Sequence, residues 1–455
     1  MNFSTPRTAL IPAFHTSIRT GEQPSLPDNP SKQAKPDSKR GPLRKILALL
    51  GPGLITGASD DDPSGIATYM SAGAAFGYQT LWTAPLTFPL MLAVQYTCAK
   101  IGMVTGTGLA GVLREHYSRW VLWPALAALV IANTINAGAD IGAIAAALNL
   151  FVPIQVTLLV VPVTILILAF QILGSYRLLT RIFKWLALAL LAYIGAAILA
   201  RPDWGAVLKA SLAPSWNPQP QYLMTLVAIL GTTISPYLFF WQSNQAVEEE
   251  VEMGRSRRWQ RVGAEPSELK MAFWDVAIGM FFCNLVFYFV IVASGATLHR
   301  AGQTSIETAA QAASALEPLA GPWAKALFGV GLIGAGLLAV PVLTGSSAYA
   351  VSEALGRPYG LSEKPARAPL FYALIVLGTL AGLSLNYLGV SPIRALLLTA
   401  VLNGLLSPPL LVLILCVANN PKIMGREHTN GPLLNLCAGL ATLAMLAAAA
   451  ALVLS

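Results

Sequence analysis

An all-α polytopic membrane protein is the fold class this sequence predicts, and three observations predict it. Of 455 residues, 55% are hydrophobic and only 11% charged, mean hydropathy is +0.62, and apolar stretches recur from one end to the other. An ordinary soluble domain carries roughly 25% charged residues, so a soluble enzyme or a nucleic-acid binder is excluded. A 30 Å hydrocarbon core takes about 20 apolar residues per helical crossing. On that measure eleven spans can be placed: 46–72, 81–101, 121–148, 154–173, 182–200, 222–246, 271–298, 323–354, 369–385, 392–417 and 433–454.

Residues 1–45 are polar and rich in proline, with no apolar run before a cleavage-like site, and predict a disordered cytoplasmic tail rather than a signal peptide. The net charge of +8 sorts by face. Lys and Arg number eight before the first span, three around Arg114, three around Arg181, five between Arg255 and Lys270, three around Lys364 and two around Arg426. Those 24 of 29 lie on one side, and Arg201, Lys209, Arg300, Lys325 and Arg394 on the other. The bias predicts a multi-pass protein of the plasma membrane with a cytoplasmic N-terminus and, with eleven spans, an external C-terminus. The segments 106–117 and 304–316 are too short to span; the first suits an interfacial or cytoplasmic helix and the second an outer helix. Cys98, Cys283, Cys416 and Cys437 fall in or at the ends of spans and read as small packing residues, with no disulfide or zinc pattern.

Polar chemistry concentrates where it costs most. A charge at the bilayer centre costs at least about 2.5 to 3.5 kcal/mol, which makes it a functional hypothesis by default. Asp60, Asp61 and Asp62 interrupt the first span, followed by Pro63 and flanked by Gly57 and Gly65, so the helix is predicted to break near 60–65. Unwound backbone at that depth is tolerated only when it lines a cavity or is buried in protein. The alternative is a first span that begins after Pro63, with the aspartates in a cytoplasmic loop. The sixth span carries Thr232, Thr233, Ile234, Ser235 and Pro236 near its middle, a second predicted break near 232–236, or a simple proline kink. Interrupted spans in corresponding positions of two halves point to a transporter site. Spans one and six are five apart, as a five-plus-five inverted repeat requires. This divides the chain into a tail (1–45), a first repeat (46–200), an external loop (201–221), a second repeat (222–418), and a cytoplasmic loop with an eleventh helix (419–455).

The run from Gly51, Pro52, Gly53 and Leu54 to Asp62, Pro63, Ser64, Gly65, Ile66, Ala67 and Thr68 resembles the first-helix signature of the Nramp divalent-metal transporters. The run from Thr232 to Ser243 resembles their sixth-helix signature, and span number and charge pattern agree over nearly the whole chain after the tail. The resemblance implies a LeuT-like fold of the APC superfamily, with divalent metal held between the breaks in helices one and six. Metal is then cargo; no cofactor and no partner beyond the bilayer is implied, and oligomeric state stays open.

Under this resemblance Asp62 matches the family's metal-binding aspartate, while Gly65 stands where the family has a ligand asparagine, Ser235 where it has a ligand methionine, and Tyr237 where it has a histidine. The expected metal site is Asp62, the Ser235 hydroxyl, the Thr232 backbone carbonyl and the Gly65 backbone, with Asp60 and Asp61 contributing outer-shell contacts or negative potential. Simple solvation of Asp60 and Asp61 in an inner vestibule is the alternative, as helix packing is for Ser235. A thioether favours transition metals, whereas carboxylate, carbonyl, hydroxyl and water suit Mg²⁺, Ca²⁺ or Mn²⁺. The pattern therefore looks most like the Nramp-related magnesium transporter branch. Asp140, Asn136, Asn133, Tyr237 and Asn403 form a possible polar pathway, or make interhelical hydrogen bonds only. One of the family's two acidic positions on helix three survives, as Asp140, and all four histidines lie in the tail or loops, which implies weak or no proton coupling. Asp275 and Glu353, near cytoplasmic span ends, are expected to be solvated or paired. A proton-coupled Mn²⁺ or Fe²⁺ importer is the nearest alternative. An intramembrane enzyme is the alternative of another class, and the sequence carries no catalytic motif for one.

Overall fold

The structure, a computed structural model, describes residues 56–57, 59–173, 192–316 and 321–454. The tail, the start of the first span and most of the fifth lie outside these residues. Everything regular among the described residues is helical. In chain order the main helices are α1 (Pro63–Phe76), α2 (Thr83–Thr105), α3 (Leu109–His116), α4 (Arg119–Asn149), α5 (Val156–Leu173), α6 (Ala192–Leu199) and α7 (Trp204–Leu212). They continue with α8 (Pro220–Thr233), α9 (Pro236–Glu252), α10 (Pro266–Ser294), α11 (Ala324–Ala354), α12 (Pro369–Leu385), α13 (Pro392–Ala418) and α14 (Pro432–Leu454). Seven helical stretches among the described residues are long and apolar enough to cross a bilayer: α4, α5, α8 with α9, α10 with its final π-turn, α11, α13 and α14.

Local chemistry sets the two discontinuities. α1 begins at Pro63 with Asp62 as its N-cap, proline supplying the preset φ and the carboxylate accepting an otherwise orphaned N–H. The sixth span is two helices: α8 ends at Thr233, and α9 starts at Pro236 with extended Ser235 before it. Pro236 has no N–H to give the Thr232 carbonyl four residues back, so the ladder stops there.

Helices α4 and α11 pack side by side, α12 and α13 both lie on α4, and α9 lies on α2. α8 crosses α13 closely: a Cβ on Gly231 would collide with the backbone of Ala400 and Gly404, and one on Gly404 would lie 2.8 Å from the Val227 side chain. Gly57 and Gly279 make a like contact between the part of the first span before its break and α10. Small residues permit such approaches where no hydrophobic gain drives helices together in lipid.

One loop expectation needs correction and two are narrowed. The outer helix is not 304–316 but Ala309–Ala313 followed by a 3₁₀ turn, because Thr308 caps it by accepting from the Gln311 N–H at 3.2 Å. The 106–117 segment does form a helix, α3, yet Leu109, Val112 and Leu113 are at most 1% exposed, so its apolar face is covered by protein and not by the membrane surface. Glu353 is not solvated. It is buried at the end of α11 and accepts from the Gly108 N–H (2.7 Å), the Gly111 N–H (3.2 Å) and the Thr107 hydroxyl (3.2 Å), an anion seated on the positive end of α3. Arg114 returns a bond to the Glu353 carbonyl at 2.9 Å. Farther along α3, Arg258 donates to both oxygens of Glu115 and holds that carboxyl below the usual range. A second buried acid, Glu248 on α9, accepts from Tyr349 (2.7 Å), Ser362 (2.6 Å) and the Leu361 N–H (3.1 Å), tying α9 to the segment after α11.

Candidate metal-ion site

The two breaks meet. Asp62 is 1% exposed; its Oδ1 accepts from the Gly65 N–H at 2.6 Å and the Ser64 hydroxyl at 2.7 Å, and its Oδ2 from the Asn136 amide of α4 at 3.1 Å. The positive end of α1 points at this carboxylate. Gly65 brings α1 close to α8, since a Cβ there would stand 3.1 Å from Thr232 Oγ1, and 3.4 Å from Asp62 Oδ1 of its own span. Its N–H is spent on Asp62. Thr232 Oγ1 is buried and has no hydrogen-bond partner among the described residues, while the Thr232 carbonyl accepts from the Ser235 hydroxyl at 2.7 Å. Ser235 Oγ also lies 3.0 Å from the Gly231 carbonyl, so its single proton serves the end of α8.

Asp60 and Asp61 are 0% and 1% exposed, so neither is solvated in a vestibule in this structure. The Cys283 thiol of α10 donates to Asp60 Oδ2 at 3.0 Å and lies 3.5 Å from Asp61 Oδ1, and Asp60 Oδ1 has no partner among the described residues. Cys283 is therefore more than the packing residue the sequence suggested. Nothing in sequence marks it, because the contact joins positions 223 apart.

The polar pathway residues separate. Asn136 reaches Asp62. Asn133 turns to α11, donating to the Leu343 carbonyl and the Ser347 hydroxyl, each at 3.0 Å. Asp140, one turn beyond Asn136 on α4, is fully buried with neither oxygen bonded among the described residues, so it does not make the interhelical bonds that were its structural alternative. Tyr237 donates its hydroxyl to the Ser59 carbonyl at 2.9 Å and ties α9 to the part of the first span before its break. Asn403 on α13 is buried with its amide nitrogen unpartnered among the described residues; one turn on, Ser407 lies 3.0 Å from the Ile234 carbonyl in the second break. Sequence reasoning also missed Ser64 and Ser407.

A cavity of about 150 Å³ lies between α1, α8 and α13, lined in part by Thr68, Ser71, Gln221, Thr225, Thr304 and Ser305. Thr68 is five residues along α1 from Pro63, about 7.5 Å at 1.5 Å per residue, so the cavity reaches within two helical turns of Asp62. The Thr68 and Ser71 hydroxyls have no partner among the described residues. Chemically the breaks offer a buried carboxylate, helix-end carbonyls and unpartnered neutral oxygens, an arrangement suited to a hard cation and its water. Among the described residues no three His, Cys, Asp or Glu side chains gather closely enough to hold a metal on their own.

Comparison with known proteins fits this geometry. The chain is similar to the divalent metal cation transporter MntH of Klebsiella pneumoniae subsp. pneumoniae, 30% identical over 406 residues that cover 87% of this chain and 91% of that one. In fold it is similar to the manganese transporter of Eremococcus coleocola in complex with an aromatic bis-isothiourea substituted compound. There the TM-score is 0.68 at 20% identity, over 94% of this chain and 91% of the other. It is also similar to a nucleobase-cation-symport-1 family transporter in a closed conformation with bromovinylhydantoin bound, at TM-score 0.58 and 13% identity, over 89% and 90%. The fold is the all-α LeuT-like one the sequence predicts, and the relatives are transporters, not enzymes. Residues 53–455 match the family described as natural resistance-associated macrophage protein-like, and with a 30% identical relative covered over most of its length, the chain belongs to the Nramp family.

Proposed function

We propose that this protein takes up divalent metal cations across the plasma membrane by alternating access, carrying Mg²⁺ and Mn²⁺ as partly hydrated ions with little or no proton coupling. The observation that carries the reading is the oxygen chemistry around Asp62. One firm carboxylate is joined by Thr232 Oγ1 and Asn136 Oδ1, both buried and unpartnered among the described residues. Buried polar atoms without partners call for a missing donor or ion, and water on a retained hydration shell is such a donor. Mg²⁺ sheds water reluctantly and is usually bound through one or two carboxylates plus water. With the N-terminus inside, a membrane potential contributes about 4.6 kcal/mol for two charges per 100 mV, enough to concentrate the ion without protons.

Uptake into liposomes of Mg²⁺, Mn²⁺ and Ca²⁺, with and without a pH gradient, tests the proposal. Mg²⁺ flux that ignores the gradient is expected; exclusion of Mg²⁺, or flux that collapses without the gradient, overturns it. The paired substitution Ser235→Met with Gly65→Asn is expected to raise Mn²⁺ and Cd²⁺ flux relative to Mg²⁺, since it adds a thioether and an amide at the two breaks. Unaltered ratios would mean that neither position meets the ion.

Asp140 favours a second reading, a proton-coupled Mn²⁺ or Fe²⁺ importer, because a carboxylate buried in α4 without a partner can carry a proton. Asp140→Asn distinguishes the two: unchanged Mg²⁺ uptake fits the first, whereas loss of a metal-driven proton flux establishes the second.

A further inference from the structure

The face poor in basic residues holds a cavity of about 530 Å³ that the transport site does not use. It is lined by Tyr78, Arg201, Asp203, His299 and Arg300 among others. Two of the five basic residues on this face thus converge in one concavity, where the orientation rule disfavours them. Among the described residues neither guanidinium makes an ion pair. The one acid in the cavity is already engaged, with Asp203 Oδ1 accepting from the Gly205 and Ala206 N–H groups at the start of α7. Arg201 has a φ of +50°, the one non-glycine among the described residues in the left-handed region, a conformation that persists where the surroundings fix it. The π-turn Gly295–His299 closing α10 brings His299 Nδ1 to the Ala74 carbonyl at 2.8 Å. A carbonyl only accepts, so Nδ1 carries the proton and Nε2 of the neutral ring is an acceptor.

The helix leaving this cavity indicates what occupies it. Trp204, Leu208 and Leu212, at i, i+4 and i+8 of α7, are 47%, 60% and 73% exposed while Val207 is buried. A nine-residue helix too short to span, with one apolar stripe uncovered and a tryptophan at its start, suits a membrane interface with that stripe among acyl chains. The arginines at its head then stand at headgroup depth.

We propose that this cavity binds the phosphodiester headgroup of an anionic phospholipid, with Arg201 and Arg300 as the phosphate ligands and α7 against the acyl chains. Guanidinium is the side chain suited to phosphate recognition.

Native mass spectrometry of the purified full-length protein, titrated with dioleoylphosphatidylglycerol, dioleoylglycerol or inorganic phosphate, tests it. The expected result is lipid adducts with phosphatidylglycerol and none with dioleoylglycerol, weakened at least about tenfold in Arg201→Ala/Arg300→Ala and largely kept in the double lysine variant. Liposome Mn²⁺ uptake by the same variants verifies that they fold. Equal phosphatidylglycerol retention by wild type and the alanine variant overturns the proposal. So does arginine-dependent binding of inorganic phosphate without lipid, which would make the site one for a free anion.

Discussion

Replacing Asp62 by asparagine is expected to abolish the proposed Mg²⁺ and Mn²⁺ uptake into liposomes and to leave the thermal midpoint close to that of the wild type. The side chain has two duties that this substitution separates. As the N-cap of α1 it accepts from the Gly65 N–H and the Ser64 hydroxyl, and asparagine caps about as well as aspartate. Its amide nitrogen would then face Asn136, whose own Oδ1 is unpartnered and can turn to accept it. The negative charge is what disappears, and with it the ligand proposed at the junction of α1 and α8. Asp62→Ala removes both duties, so it should stop transport and also cost about 1 kcal/mol of stability from the lost cap. Wild-type flux in the asparagine variant would remove Asp62 from the ion's path. A large fall in midpoint would instead make its charge a structural requirement.

Glu353→Ala is the substitution expected to cost most in stability, about 4 kcal/mol. It leaves the buried N–H groups of Gly108 and Gly111 without an acceptor, at roughly 1 to 3 kcal/mol each, and it takes the anion from the positive end of α3. Glu353→Gln keeps one acceptor oxygen but turns an amide donor toward the other N–H, so its effect falls between. Thr107→Ala removes a single hydroxyl donor and should cost least. Thermal unfolding of the three variants in detergent is expected to rank them in that order. An unchanged midpoint for Glu353→Ala would mean that water serves α3 equally well.

The breaks were legible because their causes are local. Pro63 and Pro236 remove donors, Asp62 caps, and Gly65 has no side chain, all of which can be read within a few residues. Where the carboxylates' partners come from was not legible. Cys283 reaches Asp60 and Glu353 reaches Gly108 across 223 and 245 positions, and such pairs depend on how helices are stacked rather than on any pattern along them. The same limit explains Asp140, whose residue type and depth were evident while its lack of a bond was not. For α3 the hydrophobic spacing was read properly; what covers the apolar face is set by tertiary packing, to which periodicity is blind.

The glycine contact between α8 and α13 has a mechanical side. With Gly231 set against the backbone of Ala400 and Gly404, those helices have no slack to part without leaving a void that no side chain can fill. They behave as the jamb of the cavity beside them. Any widening of the passage toward Asp62 is therefore expected to come from α1, whose Thr68 and Ser71 form the opposite wall, like a door leaf hung at the first break.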